Sequence, residues 1–152
     1  MNGLLVSDIE EDDLHEIFAL ANKVIEEHVF PTLSKEGRNT IRNTLNKDTS
    51  DILNKELYQA LKVEMDSKIV GYIAWRHGYH IAQLYVDSEY QSKGIGTLLV
   101  NEVIKRSNSS LLKVRASLNA VQFYMKIGFI PVGNESVING IKFLPMEFKI
   151  CT

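Results

Sequence analysis

The feature that most constrains this chain is the run from His80 to Arg106. A strand-like segment there passes through a short polar turn into Gln91-Ser92-Lys93-Gly94-Ile95-Gly96 and then into an apolar helix from about Ile95 to Arg106. The first N–H groups of such a helix have no intrahelical partner, and glycines let a ligand come close to them. A phosphate is the natural guest. Glycine pairs also occur in turns that bind nothing, so the context decides. Here the glycines follow a strand and open a helix with Leu98, Leu99, Val103 and Ile104 on its apolar side, and Gln91 and Lys93 add donors. A dinucleotide-binding fold would show G-x-G-x-x-G after the first strand and an acidic residue on the next, and a P-loop would show Gly-Lys-Ser/Thr. Neither pattern is present.

The rest of the chain supplies strands and helices in alternation. Leu4 to Val6 suits a first strand, and Glu10 to Asp13 is an acidic first turn ahead of helical spacing through Leu14, Ile17, Phe18, Ala21, Val24 and Ile25. This predicts a helix from about Asp12 to His28, ended by Pro31. Ser34 to Leu45 carries weaker helical spacing, and Asn46 to Lys55 reads as a polar loop. Tyr58 to Met65, the turn Asp66-Ser67-Lys68 and Ile69 to Arg76 form a hairpin. His77-Gly78-Tyr79 then turns into the strand Ile81 to Val86. After the long helix come a buried strand at Leu111 to Val114 and a helix from Asn119 to Lys126 closed by Gly128 as a left-handed cap. Phe129 to Val132 restarts extended structure. Lys142 to Ile150 is a final strand, with Pro145 near its start or at a bulge.

A chain of 152 residues with 45% hydrophobic and 24% charged content is most simply one domain, 1–152, burying about two-thirds of its unfolded surface. Hairpin-linked strands among helices favour an α+β, three-layer α/β/α arrangement. Its mixed, mostly antiparallel sheet of six to seven strands has helices on both faces. The net charge of −2 and the lack of a basic stripe argue against nucleic acid. The single cysteine, Cys151, excludes an internal disulfide and a cysteine metal site, and no metal is expected. No apolar run reaches eighteen residues and the N-terminus lacks a signal-peptide pattern, so the expectation is a cytoplasmic protein away from membranes.

The run Q-x-x-G-x-G after a strand ending Leu-Tyr-Val-Asp, together with Asn119-Ala120-Val121-Gln122-Phe123-Tyr124-Met125-Lys126-Ile127-Gly128-Phe129, resembles the GNAT superfamily of acetyl-CoA-dependent N-acetyltransferases. The two motifs cover about a third of the chain, and the order of elements around them fits that fold. The resemblance implies that backbone N–H groups of Gln91, Ser92, Lys93, Gly94, Ile95 and Gly96 bind the coenzyme A pyrophosphate. It also implies that the edge of Leu84, Tyr85 and Val86 pairs with the pantetheine arm, where the strand splays from its neighbour near Leu84. Dimers are common in the family, which adds a homodimer to the expectations.

Tyr124 matches the family's tyrosine near the coenzyme sulfur, a general acid for the departing thiolate. On its own, beside Phe123, it reads as a packing residue whose hydroxyl finds a backbone partner. His80 stands six residues before Val86, where several members hold a base. A histidine pKa near neutrality would suit proton removal from the amine. The other reading makes His80 a solvated residue at the edge of a turn. His77, Glu64, Glu26 and His28 are reserve bases, and the acidic bias of residues 8–27 could attract a cationic amine. The chain departs from the family at Ser117, where an asparagine is usual. Ser117 is read as the N-cap of the second helix, and Asn119 as taking over part of the coenzyme contact. The resemblance thus implies direct transfer of acetyl from acetyl-CoA to a primary amine of a small molecule or peptide. The alternative is a non-catalytic acyl-CoA-binding or regulatory module. The loop Asn46 to Lys55 and the segment Asn134 to Ile141 would shape the acceptor site.

Overall fold

In the computed structural model, residues 3–150 are described; Cys151 lies outside them. Strands β1 (Leu4–Asp8), β2 (Tyr58–Met65), β3 (Lys68–Arg76), β4 (His80–Val86), β5 (Leu111–Ala116), β6 (Ile130–Pro131), β7 (Ser136–Ile138) and β8 (Ile141–Lys149) alternate with helices α1 (Leu14–Val24), α2 (Lys35–Asp51), α3 (Ile95–Arg106) and α4 (Val121–Ile127). The hydrogen-bonded order is β1-β2-β3-β4-β5-β8-β6, with β7 added to β8 as an eighth strand. All pairings are antiparallel except β4 with β5.

β3 is buried along Ile69–Trp75, as a central strand covered on both faces must be. Val70, Ile73 and Trp75 join the core under α3, whereas Ile69, Tyr72 and Ala74 join the core under α1 and α2. This is the expected three-layer α+β architecture, with helices on both faces of a mixed sheet.

Four boundaries differ from expectation, each for a local reason. In the segment 46–55 only 52–55 are a turn, and 46–51 are helix: α2 runs to Asp51, held by the Lys47–Asp51 pair at 2.8 Å and by Thr49 Oγ1 donating to Leu45 O at 2.6 Å. Only a narrow stripe of α2, including Leu45 and Thr49, is buried, so a mostly polar helix looks like a loop in sequence. Helix α1 continues beyond Val24 as a π-turn, Ile25–Val29, before the 3₁₀ turn Phe30–Thr32 that contains Pro31.

The segment 134–141 contains β7 and a two-residue turn at Asn139 (φ 51°) and Gly140 (φ 81°) that pairs Ile138 with Ile141. Pro145 lies mid-strand, opposite Arg115, with no bulge between β5 and β8. Its carbonyl accepts from Val132 N–H at 2.9 Å on the β6 side, so its missing donor faces the gap between β7 and β6. Proline therefore removes no ladder bond to β5.

Candidate active site

β4 pairs with β3 along its length, but with β5 only at His80 and Ile81. Beyond Ile81 the two parallel strands part, leaving the β4 edge from Ala82 to Val86 open. Asp87 N–H donates to Val70 O at 2.9 Å, so the backbone groups of Tyr85 and Asp87 face β3 and those of Leu84 and Val86 face the opening. The Val86 carbonyl is already engaged by Gln91 Nε2 at 3.0 Å. Leu84 N–H and C=O and Val86 N–H are left for an extended amide-bearing ligand. Tyr85 contributes its side chain instead. It packs, partly buried, against Tyr72, ring centroids 5.7 Å apart, and desolvation pushes its hydroxyl up to about 12.

After β4 the chain enters a 3₁₀ turn, Ser88–Lys93, whose cap is Asp87. Asp87 is buried and accepts from Lys23 Nζ at 2.9 Å and Glu89 N–H at 3.1 Å, with Lys68 Nζ 3.6 Å away. Burial alone would raise its carboxyl, but Lys23 and the Glu89 N–H hold it below the usual 3.8. Asp87 thus fastens the turn to α1 and β3, a role the sequence did not signal.

Gly94 takes a left-handed φ of 76°, and α3 begins directly after it. Its first intrahelical bond runs from Leu98 N–H to Gly94 O at 3.0 Å, so the N–H groups of Ile95, Gly96 and Thr97 lead that bond. The Ile95 side chain is core, and only its backbone can serve a ligand. A Cβ at Gly96 would stand 2.9 Å from the Phe123 ring, so the absence of a side chain lets that ring close one wall of the groove.

The groove has a volume of about 210 Å³ and reaches from Gln91 and Gly96, past Val86, Tyr85 and Leu84, to Ser117, Asn119, Phe123 and Tyr124. Lys93 is exposed outside it, and Ser92 lies within the 3₁₀ turn. Ser117 occupies the cap position of the turn before α4 but makes no side-chain cap bond, so the expected capping role is corrected. Its hydroxyl, not used by the helix, belongs to a residue that lines the groove beside Asn119.

Tyr124 sits where this groove meets a second cavity of about 420 Å³. It is 4% exposed and packed edge-on against Phe123 and Phe129, ring centroids 5.1 Å apart in each case. Among the described residues no backbone group bonds its hydroxyl, so the packing reading holds for the ring but not for the hydroxyl. Burial, with the neighbouring Tyr85 hydroxyl, pushes its pKa up, so it stays protonated across the physiological range.

The second cavity lies on the far side of Tyr124 and Leu84. Its roof is made by α2 and the β7–β8 turn, which touch backbone to backbone at Gly37 and Gly140, with Thr40 Oγ1 donating to Asn139 O at 2.7 Å. His80 lines this cavity, half-buried. Its pKa does not lie near neutrality: burial first, then Arg76 and Arg115, lowers it to about 4. The expected neutral-pH base is therefore corrected. The imidazole is uncharged at pH 7, but its hold on a proton is weak.

The reserve bases fall elsewhere. His28 Nε2 meets Ser88 Oγ at 2.8 Å, Glu64 pairs with Lys62, and His77 is exposed in a turn. The carboxylates of the stretch 8–27 also miss the cavity. Asp13 pairs with Lys62, Glu16 accepts from Ile69 N–H, and Glu27 accepts from Ser88 Oγ. The carboxylate that does reach the cavity is Asp48, on the part of α2 read as loop. An Asn-Gly pair between apolar residues, Ile138-Asn139-Gly140-Ile141, was the signal that could have placed the roof. Among the described residues no group of three His, Cys, Asp or Glu could hold a metal. No described helix is long and apolar enough to cross a membrane.

The fold recurs in solved structures. A GCN5-related N-acetyltransferase from Rhodopseudomonas palustris superposes with a TM-score of 0.85 at 22% identity, over 98% of this chain and 97% of that one. The PaiA N-acetyltransferase of Thermoplasma acidophilum, solved with coenzyme A, gives 0.76 at 20% identity, over 96% and 98%. The aminoglycoside 6'-N-acetyltransferase of Enterococcus faecium gives 0.73 at 16% identity, over 97% and 98%. No curated protein matches the sequence. The family model described as an acetyltransferase (GNAT) domain matches residues 29–150, most of the chain. The chain belongs to the GNAT acetyltransferase family.

Proposed function

We propose that this protein transfers an acetyl group directly from acetyl-CoA to a primary amine, with the donor in the β4–α4 groove and the acceptor in the cavity beyond Tyr124. The observation that carries the reading is the meeting of the two spaces at Tyr124 and Leu84, beside an open strand edge that ends at a helix N-terminus. A related fold holding coenzyme A supports the choice of donor. The pyrophosphate would lie on the N–H groups of Ile95, Gly96 and Thr97, and the pantetheine amides on Leu84 and Val86.

In this arrangement the amine nitrogen attacks the thioester carbonyl, a C–N bond forms, and the C–S bond breaks with its electron pair on sulfur. Holding both reactants across one junction supplies much of the acceleration. Tyr124 donates its O–H to the leaving sulfur. A thiolate whose conjugate acid has a pKa of about 8.5 is a weaker base than the tyrosinate, so this bond stabilises the thiolate more than it neutralises it. Solvent completes the protonation.

His80 does not take a proton from a resting ammonium. The gap between an amine at about 10.4 and an imidazole at about 4 corresponds to roughly 9 kcal/mol. The amine therefore enters as its free base, and the neutral His80 lines the cavity wall without taking that proton. The proton shed after attack passes to water.

The test is CoA-thiol release from acetyl-CoA across a panel of amines, alongside calorimetric binding of CoA. Turnover with at least one amine is expected. Tight CoA binding with no turnover would replace this reading by a non-catalytic acyl-CoA-binding module.

A further inference from the structure

The cavity beyond Tyr124 is lined by three cations, Arg76, Arg115 and Lys142, against one carboxylate, Asp48. This reverses the sign of the chain, whose formal net charge is −2. Several cations elsewhere are held by carboxylates, as Lys23 is by Asp87 and Lys62 by Asp13. Among the described residues, the three in the cavity wall have no such partner. They come from β3, β5 and β8. The Arg115 guanidinium is kept at the rim by the Phe143 ring, 5.2 Å from its centroid.

The charges are also separated along the cavity. His80 feels Arg76 and Arg115, whereas Tyr85 feels Asp48. The His80 end is therefore positive, and the Tyr85 end, next to Leu84 and Tyr124, carries the carboxylate. A polycationic amine would enter against three like charges. An amine that bears an anion at its other end matches both ends at once.

We propose that the acceptor is an amine carrying a carboxylate or phosphate, its anion held by Arg76 and Arg115 and its amine directed past Asp48 toward Tyr124. The proposal rests on the reading of this cavity as the acceptor site.

The test compares four sets of amines matched in length: amino acids with a free carboxylate, aminoalkyl phosphates, neutral monoamines, and polyamines with an aminoglycoside. Acetylation rates are paired with calorimetry on the CoA-bound protein. One or both anionic sets should exceed the neutral set in kcat/KM by about tenfold or more, and the better of the two identifies the anion. Arg76→Gln and Arg115→Gln should each lower kcat/KM for that set by roughly tenfold through KM, with Lys105→Gln unchanged. Arg115 is exposed, so its variant carries the test if Arg76→Gln fails to fold.

Preferred acetylation of polycations would overturn the proposal and leave acetyl transfer standing. Binding of anionic amines that depends on Arg115, without turnover in any set, would support the anion site and remove acetyl transfer. Absence of calorimetric binding by both anionic sets, or indifference to both substitutions, would overturn the proposal.

Discussion

The groove on one side of Tyr124 and the cavity on the other are built from different material. The groove presents backbone: the open edge of β4, the N–H groups at the start of α3, and two glycines that keep side chains out of the way. Nearly all of it comes from one stretch, residues 84–124. The cavity presents side chains, brought by α2, β3, β4, β5 and β8 from positions between Ile25 and Phe143. A site made of backbone needs particular residues, mostly glycines, at fixed local spacing, and so leaves a motif. A site made of side chains leaves charges scattered along the chain that only the fold collects.

The largest expected effect breaks the groove alone. Gly96→Val would drive a branched side chain into the Phe123 ring, which a Cβ already approaches at 2.9 Å. Overpacking of this kind should weaken CoA binding by about 100-fold by calorimetry. The cavity should remain able to bind its amine. Equal loss at both sites would mean that the groove and the cavity are not separable.

Tyr124→Phe acts at the junction. It should lower kcat by about 10- to 100-fold while the dissociation constant of CoA stays within about twofold. A variant with full turnover would remove Tyr124 from the chemistry.

Asp87→Asn tests whether the turn is held from behind. Replacing a buried carboxylate that accepts from Lys23 and the Glu89 N–H should cost about 1–2 kcal/mol of stability, discounted because Lys23 is partly exposed. The sign with pH is set by its lowered folded-state pKa. The contribution is complete above the unfolded value of 3.8 and is lost as pH falls through the folded one. Acid titration of the wild type should therefore contain a loss of stability below about pH 4 that Asp87→Asn lacks.

His80→Ala is the smallest and sharpens the cavity side. With a pKa near 4, His80 places no acidic limb between pH 6 and 7 in kcat/KM, which should rise with pH as free amine accumulates. The variant should lose only a few-fold in rate, with that rise with pH unmoved. A limb near pH 6.5 that vanishes in His80→Ala would show that acceptor binding restores a basic imidazole.

How far the sequence could be read follows from the same contrast. The strand, the glycine turn and α3 were legible because β period, Gly94 and apolar helical spacing agree over one short stretch. His80 and Tyr124 were legible as positions. The low basicity of His80 was not, because burial, its largest cause, and Arg115, 35 residues away in sequence, act only once the chain is folded. Asp48 was hidden by a helix whose buried face is too narrow to show a period. The roof at Asn139-Gly140 was written in a turn signal, but its contact with Gly37 was not. Asp87 looked like the end of a strand, and only Lys23, 64 residues earlier, makes it a fastener.

The central claim is that donor and acceptor occupy their two sites together and react across Tyr124. An initial-rate matrix in acetyl-CoA and the preferred amine tests it most directly. Intersecting double-reciprocal lines are predicted, since both substrates must be bound before either product leaves. Parallel lines, with an acetylated protein trapped in the absence of amine, would contradict it.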